Sequence, residues 1–482
     1  MQFNSYIFIL ALIPGFVLCY FLLSRIHPAA GKAAIIAFGA WFYGYCGLNP
    51  AMILGISLLA NLLFSLALSK LGRFRKSVLA LAVLANTGLL LYFKYAGLAA
   101  DIINQLCGTD IRTGETFLLL GISFFTFHQI MYVVSVYRGT IPKVNIPDYL
   151  CYALFFPKLA MGPLTEPADF ISQLNDKERK TISWENLACG IKLFGFGLFK
   201  KMVLADTFAR GVSWGFTNSG AATSGDLFLV MLFYTFEIYF DFSGYSDMAT
   251  GVAKMVNITL PINFDSPYKA TSIRDFWKRW HMSLTAFFRN YLYIPLGGNR
   301  KGTARTCLNV LMVFLISGLW HGANWTFILW GCLHGVITIL ERIAVRSPGR
   351  RLKPVKWFFT FFAVSLLWLL FRAESVPGWL ELLGKMFSFR DMAVSDGLIK
   401  VFVLPETAMI LDKLDILNLN TLVRGFPMAV MTVGALLLCL IPENNYRNQN
   451  KLSVINMLLC AAAFVWAFLC LSSESVFIYA GF

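Results

Sequence analysis

The sequence predicts an all-α integral membrane protein, a multi-span helical bundle with re-entrant segments, and three observations support that class. Of its 482 residues, 57% are hydrophobic and only 14% are charged. A water-facing surface carries most of a protein's charge, and soluble chains average roughly 25%. The mean hydropathy is +0.65, so much of the surface faces lipid. Third, basic residues gather between apolar runs, most of them close to the roughly 20 residues a helix needs to cross hydrocarbon. This composition excludes disorder, a collagen-like fibre and a disulfide scaffold. The 41 Lys and Arg against 26 Asp and Glu leave a charge of +15. No basic stripe lies outside an apolar context, so membrane lipid, and not nucleic acid, is the expected partner of that charge. The ten cysteines are scattered without a C-x-x-C pair, which excludes zinc and haem spacings, and no metal is expected.

Candidate spans fall near 6–24, 33–47, 50–69, 78–97, 116–136, 187–207, 227–246, 357–372, 427–442 and 453–472. The first, Tyr6 to Leu23, has no basic residue before it and no small-residue cleavage site, so it reads as a retained span and not a signal peptide. Arg25 and Lys32, then Lys70, Arg73, Arg75 and Lys76, then Arg138 and Lys143 follow every second span. Each set is expected in the cytoplasm, which puts the N-terminus outside. Lys177, Arg179 and Lys180 form the next basic set, so segment 148–163 enters and leaves on one side. Its FFPKLAMGPL, with two prolines and a glycine, suits a re-entrant stretch packed inside protein.

Between Asp265 and Arg305 eight basic residues face two acids, and a second basic set runs from Arg342 to Lys356. Segment 308–340 therefore begins and ends in the cytoplasm. As one helix its 33 residues would reach about 50 Å, too long for a hydrocarbon core of about 30 Å. The expected break is His321-Gly322-Ala323-Asn324, between arms of 13 and 16 residues. Segment 373–426, with scattered charge, reads as an external excursion.

Two of the five histidines have unusual settings. His321, in SGLWHGANW, sits at the break of an apolar hairpin. An ionisable group at that depth suggests a site facing an internal cavity, and the alternative is a hydrogen-bonded core histidine or polar turn. A neutral imidazole is a general base for acylating a hydroxyl, and a water-poor site favours the neutral form. His281 falls in TSIRDFWKRWHMSLTAFFRNYLY, whose periodicity predicts one amphipathic helix started by a Ser272/Asp275 cap. Its polar face carries Arg274, Lys278, His281, Thr285 and Arg289. That strip fits the phosphates of a donor or, equally, anionic headgroups. FDFSGYSDMATG (240–251) is expected to end a span, and its Asp241 reads as lining a polar path or pairing with a cation. In YIPLGGNRKG, Gly297 and Gly298 form a turn before Arg300 and Lys301, a phosphate contact or a plain cytoplasmic turn. It is not a Walker A loop, and no G-x-S-x-G elbow occurs. His27, in a cytoplasmic loop, and His334, in a helix near its cytoplasmic end, are set aside, and His128, in a polyaromatic span, reads as structural.

Together FFPKLAMGPL, YFDFSGYSDMATG, the stretch from NFDSPYKATS to YLYIPLGGNRKG and GLWHGANWTFILWGCLHG resemble, in order and spacing, the membrane-bound O-acyltransferase (MBOAT) family. The resemblance is to its bacterial, alginate O-acetyltransferase AlgI-like branch, over most of the chain and most strongly at 155–342. It implies one membrane domain over 1–482, with N-terminal spans (1–145), a catalytic core (146–345) and C-terminal spans (346–482). It also implies a tunnel through the inner membrane. Carried over by motif, His321 takes the position of the family's catalytic histidine and His281 that of its second histidine. Trp320, Asn324, Asp241, Arg274, Lys278, Arg289, Gly297, Gly298, Arg300 and Lys301 are the expected substrate-binding residues. Asn290 departs from the acid common in related sequences before YLYIPLGG, which puts an acid role there in doubt. The D-alanyl transferase branch typically lacks YLYIPLGGNRKG, so the resemblance favours acetyl-CoA as donor substrate, with no bound cofactor. It also implies an extracytoplasmic SGNH-hydrolase-like partner and a polysaccharide acceptor. A D-alanyl donor, or a transporter that does no chemistry, are the competing expectations.

Overall fold

The computed structural model describes residues 2–110, 119–344, 352–403, 425–472 and 477–478, and among these it holds helices and no strand. In chain order the α-helices are α1 (Ile13–Ile26), α2 (Pro28–Gly44), α3 (Leu48–Lys70), α4 (Arg75–Cys107), α5 (Ile122–Arg138), α6 (Ile146–Leu154), α7 (Phe156–Leu159), α8 (Pro167–Asn175), α9 (Trp184–Phe199) and α10 (Asp206–Thr217). They continue with α11 (Ser224–Met255), α12 (Ile273–Trp277), α13 (Met282–Phe288), α14 (Gly302–His321), α15 (Trp325–Ala344), α16 (Lys353–Arg372), α17 (Val376–Met386), α18 (Asp396–Val401), α19 (Phe426–Leu440) and α20 (Val454–Leu469). Among the described residues seven helical stretches are long and apolar enough to cross a membrane: 8–26, 48–70, 75–97, 224–255, 302–321, 325–344 and 353–372. The protein is therefore a multi-pass, all-α membrane protein. Residues 116–118 of one expected span, Arg346, Arg350, Arg351 and residues 404–424 of the external excursion lie outside the described residues.

The chain divides into two compact units that do not follow chain order. One comprises Met1–Leu198, Tyr245–Ile262 and Asn445–Phe482, the other Phe199–Gly244 and Asn263–Asn444. In the first, residues 151–165 around FFPKLAMGPL are buried without interruption, as expected of an irregular stretch enclosed by protein. Its close fit to α2 needs a residue without Cβ: a Cβ on Gly39 would lie 1.9 Å from the Leu154 carbonyl oxygen.

Three expectations are corrected. Helix α11 runs 32 residues, so FDFSGYSDMATG lies inside it and does not end it. Charged and small polar residues end a span that faces lipid, but 83% of the apolar window of α11 is buried, against 22% for α14 and for α15. Helices α14 and α15 are 20 residues each, not arms of 13 and 16, because the first begins earlier, at Gly302, and the second, after the turn at 322–324, runs on to Ala344. At 1.5 Å per residue each reaches about 30 Å, enough to cross, which brings His321 close to the far side. Their backbones meet at Gly318 and Gly331, where a Cβ would lie 2.3 Å from the Phe327 and Phe314 carbonyl oxygens respectively; small residues let membrane helices approach this closely.

The third correction concerns residues 272–293. The Ser272 hydroxyl does cap α12, accepting from the Asp275 N–H at 3.0 Å, but the helix stops at Trp277. Backbone pairing with an irregular segment takes over: Asp265 N–H donates to the Arg279 carbonyl and Met282 N–H to the Asn263 carbonyl, both at 2.9 Å. His281 is thereby held in the left-handed region, φ +44° and ψ +53°, as the N-cap of α13. A non-glycine residue is strained there and stays only where its surroundings hold it.

Candidate active site

All of the site's central residues belong to the second unit. His321, last residue of α14, is 4% exposed. Its ring meets Trp320 at 4.6 Å between centroids, Phe371 of α16 at 4.9 Å and Trp330 of α15 at 5.3 Å. Three α14–α16 elements thus fix one imidazole, the latter two edge-on at 81° and 88°. Asn324, three residues on, caps α15: its Oδ1 accepts from Thr326 N–H at 3.1 Å, and its Nδ2 donates to the Glu374 carbonyl at 2.8 Å. The turn after His321 is anchored at both ends of that amide.

His281 is fully enclosed, at 1% exposure, and is not on a solvent-facing strip. It packs edge-on against Phe242, 4.7 Å away, and its ring centroid lies 6.4 Å from that of Trp320. Trp320 therefore lies near both histidines, which the structure brings into one neighbourhood across 40 residues of sequence. Hydrogen bonding settles the tautomer of His281. Asn263 Oδ1 accepts from the Ser283 N–H at 3.2 Å and the Ser283 hydroxyl at 2.6 Å, so that atom is the amide oxygen. The His281 Nδ1 beside it, at 3.3 Å, must donate, and Nε2 keeps its lone pair. Burial pushes the imidazole down from about 6.5 to about 3, leaving it neutral over the physiological range.

That shift carries a prediction. A folded value below the unfolded one means the folded protein binds fewer protons than the unfolded chain between about pH 6.5 and about pH 3. The stability His281 confers is complete above that window and is lost as pH falls through it. Thermal unfolding of His281→Gln is expected to show a shallower loss on acidification through this range than the wild type. A histidine resonance titrating near 6.5 and assigned to His281 would contradict its enclosure.

His334, set aside in the sequence as a residue near the cytoplasmic end of a helix, extends the array. It is wholly buried in α15; Trp277 Nε1–H donates to its Nδ1 at 3.2 Å, and Trp330, whose ring also meets His321, lies 4.8 Å away.

Asp241 is held by a cation. Lys201 Nζ, 2% exposed like Asp241, donates to Asp241 Oδ1 and reaches Asp206 Oδ1, each at 2.8 Å. Glu237, one helical turn before Asp241, is buried, and Asp241, Asp206, Lys201 and Arg372 all act on it electrostatically. Lys201, Asp206 and Glu237 were not singled out in the sequence, although two lysines at 200–201 inside an expected span were a signal.

Arg274, Lys278, Arg289, Arg300 and Lys301 are all exposed, so they are not one strip with His281. Arg274 and Ile273 also anchor the start of α12, their N–H groups donating to the Glu341 carboxylate at 3.1 and 2.7 Å. Gly297 and Gly298 adopt φ +103° and +56°, a left-handed turn that glycine takes without strain. Among the described residues no cluster of His, Cys, Asp and Glu could hold a metal ion.

A family model for membrane-bound O-acyltransferases matches residues 105–373. A peptidoglycan O-acetyltransferase of Helicobacter pylori is 33% identical over 521 aligned positions, covering 100% of this chain and 97% of that protein. A probable alginate O-acetylase AlgI of Azotobacter vinelandii is 36% identical over 406 positions, 82% of this chain and 80% of the relative. A teichoic acid D-alanyltransferase of Streptococcus thermophilus is 29% identical over 282 positions, 52% of this chain and 68% of the relative.

Proposed function

The chain belongs to the membrane-bound O-acyltransferase family and is an acyltransferase, and from that premise we propose that it passes an acetyl group from cytoplasmic acetyl-CoA across the inner membrane for O-acetylation of an extracytoplasmic polysaccharide. The observation that carries this reading is the pair of buried imidazoles, His321 and His281, that share Trp320 as a neighbour. The relatives named for acetylation of peptidoglycan and alginate match most or all of the chain, and the D-alanyl relative about half, which favours acetyl as the group transferred.

In this mechanism the thioester enters a tunnel from the cytoplasmic face, its phosphates held by Arg274, Lys278, Arg289 and the 297–301 turn. The neutral His321 imidazole takes the proton of the acceptor hydroxyl as that oxygen attacks the thioester carbonyl. The tetrahedral intermediate collapses, the C–S bond breaks, and the thiolate takes the proton back from the imidazolium to leave as free CoA thiol. His281 cannot donate from Nε2, so its part is to accept a hydrogen bond there and orient the hydroxyl. Trp320, buried beside both rings, helps keep them from water. The immediate acceptor is the sugar, or a serine of an SGNH-hydrolase-like partner that completes the transfer.

Sidedness and donor are tested together with radiolabelled acetyl-CoA. Sealed inside-out vesicles, which expose the cytoplasmic face and the basic 265–305 region, are expected to label polymer on their inner side, and right-side-out vesicles are not. Label transferred only in right-side-out vesicles reverses the topology, and no transfer in either while D-alanine is transferred replaces the donor.

A further inference from the structure

A cavity of about 420 Å3 opens in the second unit between α10, α16 and α17, lined by Ser213, Thr217, Arg372, Glu374 and Glu381 among others. Two ties place its wall beside the histidine. Phe371, whose ring meets His321, directly precedes Arg372, and the Glu374 carbonyl accepts from Asn324 of the turn after His321. Helix α16 starts at Lys353 in the second basic set and ends at Arg372 after 20 residues, about 30 Å of rise. The cavity thus lies at the face opposite the one where the donor is read to dock.

Its chemistry is mixed and polar. The Arg372 guanidinium lies over the Phe216 ring, 4.7 Å from the centroid, and makes no hydrogen bond within the described residues, so its fixed fork of five donors is available to a ligand. The carboxylates of Glu374 and Glu381 are exposed acceptors, and Ser213 and Thr217 supply exposed hydroxyls. Lys385, by contrast, is occupied: its Nζ donates to the Ser219 and Gly220 carbonyls at 2.9 and 2.7 Å, latching α17 to the end of α10. A purely anionic ligand would meet the two glutamates, and an acyl chain would strand every polar group. A ligand dense in hydroxyls satisfies both the donors and the acceptors. The volume falls in the range of small-ligand pockets, about 300–1,000 Å3, which suits one or two sugar rings and not a folded domain.

We propose that this cavity is an acceptor-glycan subsite, in which Arg372 and Glu381 hold hydroxyl-rich sugar rings beside the His321 turn. The glycan therefore meets this chain itself, and a partner protein is not needed to hold it. The proposal rests on the reading of His321 as the base that acts on the acceptor.

The test uses the full chain in detergent micelles and tetrasaccharides of β-linked glucose, N-acetylglucosamine and mannuronate as probes. Binding is measured in the wild type and in His321→Ala, so that it does not depend on turnover. At least one probe is expected to bind both, while Arg372→Gln and the cavity-filling Ser213→Trp each weaken it tenfold or more; acetyl-CoA binding, measured in parallel, keeps its wild-type value. Ser213 is exposed on α10, so the tryptophan does not disturb the core even where loss of Arg372 does. No binding of any tetrasaccharide to the wild type, or unchanged binding in Ser213→Trp, overturns the subsite. A cavity that takes up only a partner protein's segment, with loss in both variants, also overturns it. Sugar binding lost in the cavity variants while His321→Ala still transfers acetyl leaves the subsite standing and removes the base.

Discussion

Replacing His321 by alanine is expected to lower acetyl transfer by about 10²–10⁴-fold, the range that a positioned general base contributes. The ring is also a packing element, touching Trp320, Trp330 and Phe371, so alanine alone confounds lost chemistry with a collapsed site. His321→Gln fills much of the same space and keeps hydrogen-bonding groups, but has no basic nitrogen. Both variants are expected to reach the membrane at wild-type abundance, with both equally inactive in label transfer from acetyl-CoA. Normal polymer acetylation by His321→Gln at normal abundance would remove the catalytic assignment and favour a path that transports without chemistry.

The second large effect is on stability. Lys201 and Asp241 form a pair almost wholly out of water and in addition bring Asp206 to the same ammonium. Removing one member of a buried pair leaves an uncompensated charge and costs about 3–5 kcal/mol. Lys201→Met is expected to lose that much, read as a sharp fall in thermal unfolding temperature in detergent and in membrane abundance. The double variant Lys201→Met/Asp241→Leu removes both charges and is expected to recover a large part of the loss. If the double variant is as unstable as the single, the pair is not what holds α11 to the segment before α10.

Helix class and the long spans were legible in the sequence because hydrocarbon imposes a length: the apolar runs 50–69 and 357–372 became α3 and α16 with shifts of a few residues, whereas the hairpin 308–340 was read with arms too short. The rule failed where protein replaces lipid around a helix. Asp241 and Asp247 read as the end of a span, but α11 continues through them because its surroundings supply a matched cation, Lys201, 40 residues earlier. No local pattern announces such a partner. His321 was visible for the converse reason, an ionisable residue at a break in an apolar run. The helix through His281 followed from apolar spacing that is real, since Ile273, Phe276, Trp280, Leu284 and Phe287 are all buried. What spacing does not reveal is the backbone pairing of 263–265 with 279–282, which breaks the helix and turns His281 inward. His334 was passed over because its polar partner is distant in sequence: Trp330 lies one turn before it on α15, but Trp277, 57 residues earlier, is brought to it only by the fold.

The claim that joins these observations is that donor and acceptor meet at the imidazole of His321, with His281 near the same Trp320 ring. A cryo-electron microscopy structure of the full chain with a non-transferable thioether analogue of acetyl-CoA tests it most directly. The account predicts the acyl carbonyl beside the His321 ring, leaving about 3–3.5 Å between its carbon and an acceptor oxygen that the imidazole can reach, and the phosphates against Arg274, Lys278, Arg289 or the 297–301 turn. An analogue whose acyl end lies away from His321, or whose phosphates bind at the Arg372 end of α16, would contradict it.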